Sequence, residues 1–80
     1  MSAPNLKIGD LLYLNEMIVF TSIYDTPWTN AFDDDPGIVG CLTTEEFCFF
    51  LQEEEIWTLI ITAWGVKGWI ETGKLRKVSQ

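Results

Sequence analysis

The chain has 80 residues, of which 48% are apolar and 14% aromatic, and it carries a formal net charge of −7 at pH 7. A chain of this length can bury only about 60–70% of the surface that it exposes when unfolded, so we expect residues 1–80 to form one domain with an ordered core over residues 6–78. The apolar content excludes a disordered chain, and the acidity argues against general binding to the phosphates of DNA or RNA.

Turn-forming residues divide the first half of the chain into short segments. Gly9 and Asp10 precede an apolar run at residues 11–14, which predicts the first strand. Residues 17–24 are rich in β-branched and aromatic residues and predict either a second strand or the arm of a loop. Residues 25–37, DTPWTNAFDDDPG, are rich in Pro, Asp, Asn and Gly. They predict one long early loop.

The second half of the chain predicts strands with tight connections. Residues 38–43, 47–52 and 56–64 are apolar runs separated by short turns. We expect these runs to pair as a meander of three antiparallel strands.

A closing hairpin and a last strand follow the meander. A turn over residues 65–68 would place Trp64 opposite Trp69 in an aromatic cross-strand pair. The sequence ETGK, residues 71–74, predicts a corner with one 3₁₀ turn before a final short strand at residues 75–78.

The two cysteines flank the first turn of the predicted meander. If that turn is centred on Thr44 and Glu45, Cys41 lies opposite Cys48, where a disulfide is sterically possible. A chain without a signal peptide is expected to keep both as thiols. We therefore interpret them as small buried apolar residues.

Two adjacent predicted strands are apolar on both faces. The sequences FCFFL, residues 47–51, and IWTLIITAW, residues 56–64, place apolar side chains in both alternating sets. An antiparallel sheet with one face in water should alternate apolar with polar residues. We therefore expect the outer face to be covered by the long loop or by another subunit, and homo-oligomerisation is the simplest form of this. The candidate self-association residues are Phe50, Trp57, Ile60, Trp64 and Trp69.

The long loop contains a candidate partner-binding site. Its members are aromatic or acidic, and they are Tyr24, Trp28, Phe32, Asp33, Asp34 and Asp35. In a binding site, the aromatic side chains would be rigid anchors, and the carboxylates would receive an arginine or lysine of a partner protein. In the alternative interpretation, the aromatic residues plug the end of the fold and the aspartates form a solvated turn.

The sequence contains no residue pattern that is typical of a catalytic site or a metal site. It has no histidine, and neither cysteine lies in a nucleophile motif. The aspartate triplet also lacks the spacing of a calcium loop. We expect no enzymatic activity, no cofactor and no small-molecule substrate. A signal peptide and an apolar run of membrane-spanning length are both absent from the sequence, which predicts a cytoplasmic protein without a membrane partner.

The order of the segments resembles a known family. A long early loop and a meander are followed by Gly68-Trp69-Ile70, a polar corner, and Leu75 before a last strand. In this order, residues 6–78 resemble the small Src-homology-3-like barrel. The resemblance implies an all-β barrel of five to six strands with one long early loop.

The details of the motif separate this chain from the peptide-binding members of that family. In those members a proline and then a tyrosine follow the glycine, aromatic and apolar residues, and they help to line a groove for proline-rich peptides. Here Glu71 stands in place of the proline, and Lys74 lies near the position of the tyrosine. The chain is also similar to short bacterial and phage barrel proteins in which GIVG opens a strand and W…GVKGWI…L closes the barrel. That likeness implies a binding or assembly module of phage or environmental origin.

Three functional hypotheses follow. The first is a non-catalytic module that binds protein, in particular a second copy of itself. A charge asymmetry supports it, because residues 1–66 hold one lysine and eleven acids, a net −10, whereas residues 67–80 hold four cations and one acid, a net +3. The second is an acidic decoy that occupies a nucleic-acid-binding protein of a host. The third is a module that reads proline-rich peptides through Trp28 and the aspartates of the loop.

Overall fold

The computed structural model of the protein describes residues 6–27 and 37–78. They form seven antiparallel strands and one 3₁₀ turn: β1 (Leu11–Leu14), β2 (Phe20–Tyr24), β3 (Ile38–Thr43), β4 (Phe47–Glu54), β5 (Trp57–Thr62), β6 (Lys67–Glu71), the 3₁₀ turn (Thr72–Lys74) and β7 (Leu75–Lys77). The all-β prediction is confirmed. The strand count exceeds the expected five to six because β2, which the sequence left open between strand and loop arm, is a full strand.

The seven strands form one open sheet in the order β3-β2-β6-β5-β4-β1-β7. The first and last strands of the chain are neighbours, and β4, β5 and β6 form a meander. Strand β4 carries a bulge between Phe50 and Gln52, and a bulge bends a strand and increases its twist. The edges are β3 and β7, and no pairing joins them within residues 6–27 and 37–78.

The core lies on one face of this sheet. Its buried side chains come from six of the strands and form a single cluster: Leu12, Leu14, Ile23, Leu42, Cys48, Phe50, Ile60 and Ile70. No second layer of secondary structure covers that face in the described part of the chain, so the core side chains pack against one another. The opposite surface is called the outer face below.

The predicted pairing of β3 with β4 is wrong. Strand β3 pairs with β2, which places Cys41 opposite Ser22, whereas Cys48 pairs with Leu12 of β1. The turn between β3 and β4 differs from a two-residue hairpin in one hydrogen bond. The Glu46 N–H donates to the Thr43 C=O, as it would in such a hairpin, but the Thr43 N–H donates to a carboxylate oxygen of Glu46 at 2.9 Å and not to the Glu46 C=O.

The predicted register of the last hairpin is also wrong. Trp69 lies opposite Leu59, so Trp64 is not its partner. Strand β5 ends at Thr62, whose hydroxyl oxygen accepts the Val66 N–H at 2.9 Å and whose C=O accepts the Gly65 N–H at 3.0 Å. Gly65 has φ +95°, a conformation that favours glycine. Trp64 therefore lies in the turn.

Candidate interaction surface

The structure places only one of the six candidate partner-binding residues. Tyr24 ends β2, and its ring packs edge-on against Trp57 with the centroids 5.9 Å apart. Trp28, Phe32, Asp33, Asp34 and Asp35 lie outside the described residues. Asp25 joins the two ends of the loop, because its N–H donates to the Gly37 C=O at 2.9 Å and its carboxylate accepts the Gly37 N–H at 3.1 Å.

Three of the five candidate self-association residues are buried inside the subunit. Phe50 and Ile60 belong to the core, and Trp57 is only 4% exposed. They present almost no surface to a second copy. Trp64, in the β5–β6 turn, is 50% exposed, and Trp69 of β6 is half-buried.

An apolar strip crosses the outer face. Its members alternate with the core residues along their strands. Leu11, Phe49 and Ile61 form one row across β1, β4 and β5, and Tyr13 lies opposite Phe47 in the next row. Leu59 and Trp69 form a third row across β5 and β6, where Gln52 is the β4 partner of Leu59. The rings of Tyr13 and Phe47 pack edge-on with centroids 6.4 Å apart. Phe47 is 48% exposed and Phe49 is 36% exposed.

In β4 the sequence contains the signal for this strip, but the candidate self-association residue there, Phe50, faces the core. Phe47 and Phe49 alternate with Cys48 and Phe50, so one pair had to face the core. The structure buries Cys48 and Phe50. Alternation could not decide which pair was inside, because both sets are apolar.

The indole N–H of Trp57 is a second feature of the outer face. The Nε1 atom is buried, and it has no hydrogen-bond partner among the described residues. A buried donor without a partner destabilises a fold. Trp57 lies beside Tyr24 and opposite Glu71 of β6, at the end of the sheet where the long loop begins.

A pocket of about 270 Å³ opens beside β1, the 3₁₀ turn and β7. It is called the end pocket below. Its lining is mainly aliphatic with two cations at one side: Leu6, Leu12, Thr58, Thr72, Gly73, Leu75, Arg76 and Lys77. The hydroxyl groups of Thr58 and Thr72 share a hydrogen bond of 2.7 Å, so each of the two hydroxyls in the wall has a partner.

One acid neutralises part of the charge near the end pocket. Asp10 lies 3.5 Å from the Lys77 Nζ, and it accepts the Lys7 backbone N–H at 2.8 Å. That hydrogen bond, followed by the charge of Lys77, holds the pKa of Asp10 below its usual value. Arg76 is exposed and forms no ion pair with the described residues.

The two cysteines have different environments. Cys48 is buried as expected, and burial raises the pKa of its thiol to about 12. Cys41 is exposed on the edge strand β3, which corrects its interpretation as a buried residue. Both are thiols.

We expect alkylation to distinguish these thiols. At pH 8 the thiolate fraction of Cys48 is on the order of 10⁻⁴, and its sulfur is enclosed, so native protein should react rapidly at one thiol and unfolded protein at two. Mass spectrometry after a timed pulse of iodoacetamide measures this count. The Cys41→Ser variant is the control, and a rapid reaction of that variant in its native state would contradict the burial of Cys48.

Comparison of the chain with profiles of known protein families, with curated proteins and with solved structures gives no match. Among the residues that the structure describes, no three Cys, Asp or Glu side chains converge on a possible metal site. Within the same ranges, the structure contains no helix with the length and apolar character needed to cross a membrane.

Proposed function

We propose that the protein is a non-catalytic interaction module that associates with a second copy of itself through the outer face. The observation that carries this proposal is the exposure of Phe47 and Phe49, which lie opposite Tyr13 and Leu11 in the apolar strip. Large exposed apolar patches in soluble proteins mark interaction sites, because contact with water is unfavourable. A two-fold contact between two such strips would remove both from water at once.

We also propose that the fold is a small Src-homology-3-like barrel. Three observations support it: β1 lies beside β7, a three-stranded meander precedes the corner, and one 3₁₀ turn at Thr72–Lys74 joins β6 to the last strand. The segment order that carried the resemblance is retained, although the meander is β4-β5-β6 and begins one strand later than the sequence indicated.

The test of self-association is the mass in solution of the wild-type chain and of a Phe47→Ser, Phe49→Ser variant. Light scattering on a sizing column should show a dimer or larger species for the wild type and a loss of at least about half of that mass for the variant. Both side chains are partly exposed, so the variant should keep its fold.

The control variant is Met17→Ser, Val19→Ser. These residues are strongly exposed in the β1–β2 connection and are not members of the strip, so the substitutions remove apolar surface without changing a strip residue. An unchanged mass for the strip variant, or an equal loss for the control, would overturn the proposal.

The proline-peptide hypothesis has little support from the described residues. Trp28 and the aspartates of the loop, on which it depends, lie outside them. The indole N–H of Trp57 has no partner among the described residues, but its nitrogen is buried and the side chain is only 4% exposed, so a peptide carbonyl has no access to it.

The acidic decoy has less support from the described residues. Glu45 and Glu46 lie in the turn before β4, Glu53–Glu55 follow at its other end, and Asp10 and Glu71 pair with lysines. An imitation of a nucleic-acid backbone would need its carboxylates along one face.

A further inference from the structure

The end of β4 and the turn to β5 combine three acids with an exposed isoleucine. Glu53, Glu54 and Glu55 are all exposed, and Ile56 is 60% exposed. Residues 53–56 are called the acidic turn below. Glu55 has φ +54°, a conformation in which a residue other than glycine or asparagine is uncommon. Both the repulsion among like charges and this conformation oppose folding, so the sequence of the turn is not optimised for stability.

The end pocket has the opposite chemistry. Leu6, Leu12 and Leu75 give it aliphatic walls, and Arg76 and Lys77 place cations beside it. Lys77 is paired with Asp10, whereas Arg76 has no acidic partner among the described residues. An occupant that fits this pocket carries an aliphatic side chain next to carboxylates. The acidic turn has this composition.

The acidic turn and the end pocket lie at the same end of the sheet. The Thr72 N–H donates to the Ile56 C=O at 2.7 Å, and Thr72 lines the pocket. Ile56 immediately precedes β5 and lies two residues before Thr58, which also lines the pocket. Side chains two residues apart on a strand point to the same face, so we expect the Ile56 side chain on the same face as Thr58. Because the two lie side by side, a two-fold axis can place the acidic turn of each copy against the end pocket of the other.

We infer that the end pocket binds the acidic turn of a second copy of this chain, with the Ile56 side chain between the leucines and the glutamates near Arg76. The contact rests on the proposed self-association but uses a different surface from the outer face. The acidic turn belongs to residues 1–66, which carry a net charge of −10, and Arg76 belongs to residues 67–80, which carry a net charge of +3. Added salt screens such charges, whereas apolar contact on the outer face does not weaken with salt.

The first experiment isolates this contact in the Phe47→Ser, Phe49→Ser background. Sedimentation at about 50 mM and about 500 mM NaCl should show a dimer whose dissociation constant rises at least about tenfold at the higher salt. Ile56→Ser should raise the dissociation constant by a similar factor at low salt. Gly73→Leu should do the same, because Gly73 lines the pocket and a Cβ atom there meets no atom within 4 Å, which leaves room to attach a larger side chain at the pocket wall.

The outcomes separate this contact from the proposed function. A background variant that is monomeric at low salt overturns the end-pocket contact and leaves the outer-face proposal standing. If Gly73→Leu weakens association and Ile56→Ser does not, a different segment enters the pocket and the inference is wrong. If the Phe47→Ser, Phe49→Ser variant instead associates as strongly as the wild type and loses its dimer only when Ile56→Ser is added, the outer-face proposal fails and the end-pocket contact holds.

A charge exchange tests the pairing directly. Arg76→Glu and Glu53→Arg should each weaken the dimer about tenfold at low salt, and the double variant should return to within about threefold of the background. Lys67→Glu is the control, because it changes the net charge as much as Arg76→Glu does, at the start of β6 and away from the pocket lining. No recovery in the double variant would overturn the inference.

Discussion

Replacing Ile60 with alanine will lower the free energy of unfolding by about 3–4 kcal/mol. Ile60 is fully buried at the centre of β5, opposite Phe50 of β4 and Gly68 of β6. Shortening it removes apolar contacts from the only core of the described chain and leaves a cavity. Denaturation in urea measures the loss as a lower midpoint with an unchanged slope.

The neighbouring isoleucine provides the matched control. Ile61 follows Ile60 on the same strand, but it faces outward and is only half-buried. Ile61→Ala should cost about 1 kcal/mol, since a partly exposed side chain loses less contact. Similar losses for the two variants would contradict the assignment of inner and outer faces. The same burial means that Ile60→Glu, an obvious probe of association from the sequence, would report on folding instead.

Replacing Gly68 with alanine will cost about 2 kcal/mol, although it adds only a methyl group. A Cβ at Gly68 would lie 2.6 Å from the backbone oxygen of Tyr24 and 2.5 Å from the Ile23 Cγ2 atom. A backbone oxygen cannot rotate away as a side chain can. Strand β2 would therefore have to move away from β6, where the register gives one residue pair, Tyr24 with Trp69.

Gly73→Ala is the control for this substitution. A Cβ at Gly73 meets no atom within 4 Å, so alanine should be neutral or stabilise the protein by up to about 1 kcal/mol through its less flexible unfolded chain. Thermal or urea unfolding of both variants decides the point. An equal effect at the two glycines would mean that β2 does not approach β6 as closely as the structure has it.

The size of the assembly depends on whether the outer face, the end pocket or both form contacts. A two-fold contact at either surface alone closes a dimer. If both form, each copy has two separate contacts, and the copies can join into longer chains. Mass measurements at low salt should then exceed a dimer for the wild type, and each single-surface variant should reduce the species to a dimer.

The sequence by itself determined the class of this fold and the positions of most strands. Runs such as residues 38–43 and 47–52 are short, β-branched or aromatic, and bounded by turn residues, so local chemistry alone predicts them. The 3₁₀ turn before the last strand was also predicted, and Thr72–Lys74 confirms it. These features depend on neighbours only a few residues away.

Only the tertiary structure decided which strands are neighbours and which face is inside. Strand β3 pairs with β2, and in the turn to β4 the Glu46 side chain accepts the Thr43 N–H; in the last hairpin the Thr62 hydroxyl accepts the Val66 N–H and Trp69 lies opposite Leu59. In β4, Phe47 and Phe50 are equally apolar, so burial followed from packing against β1 and β5 and not from hydropathy. The pairing of the strands in the sheet therefore determined which apolar residues are exposed. When both faces of a strand are apolar, its local sequence does not indicate which face meets water.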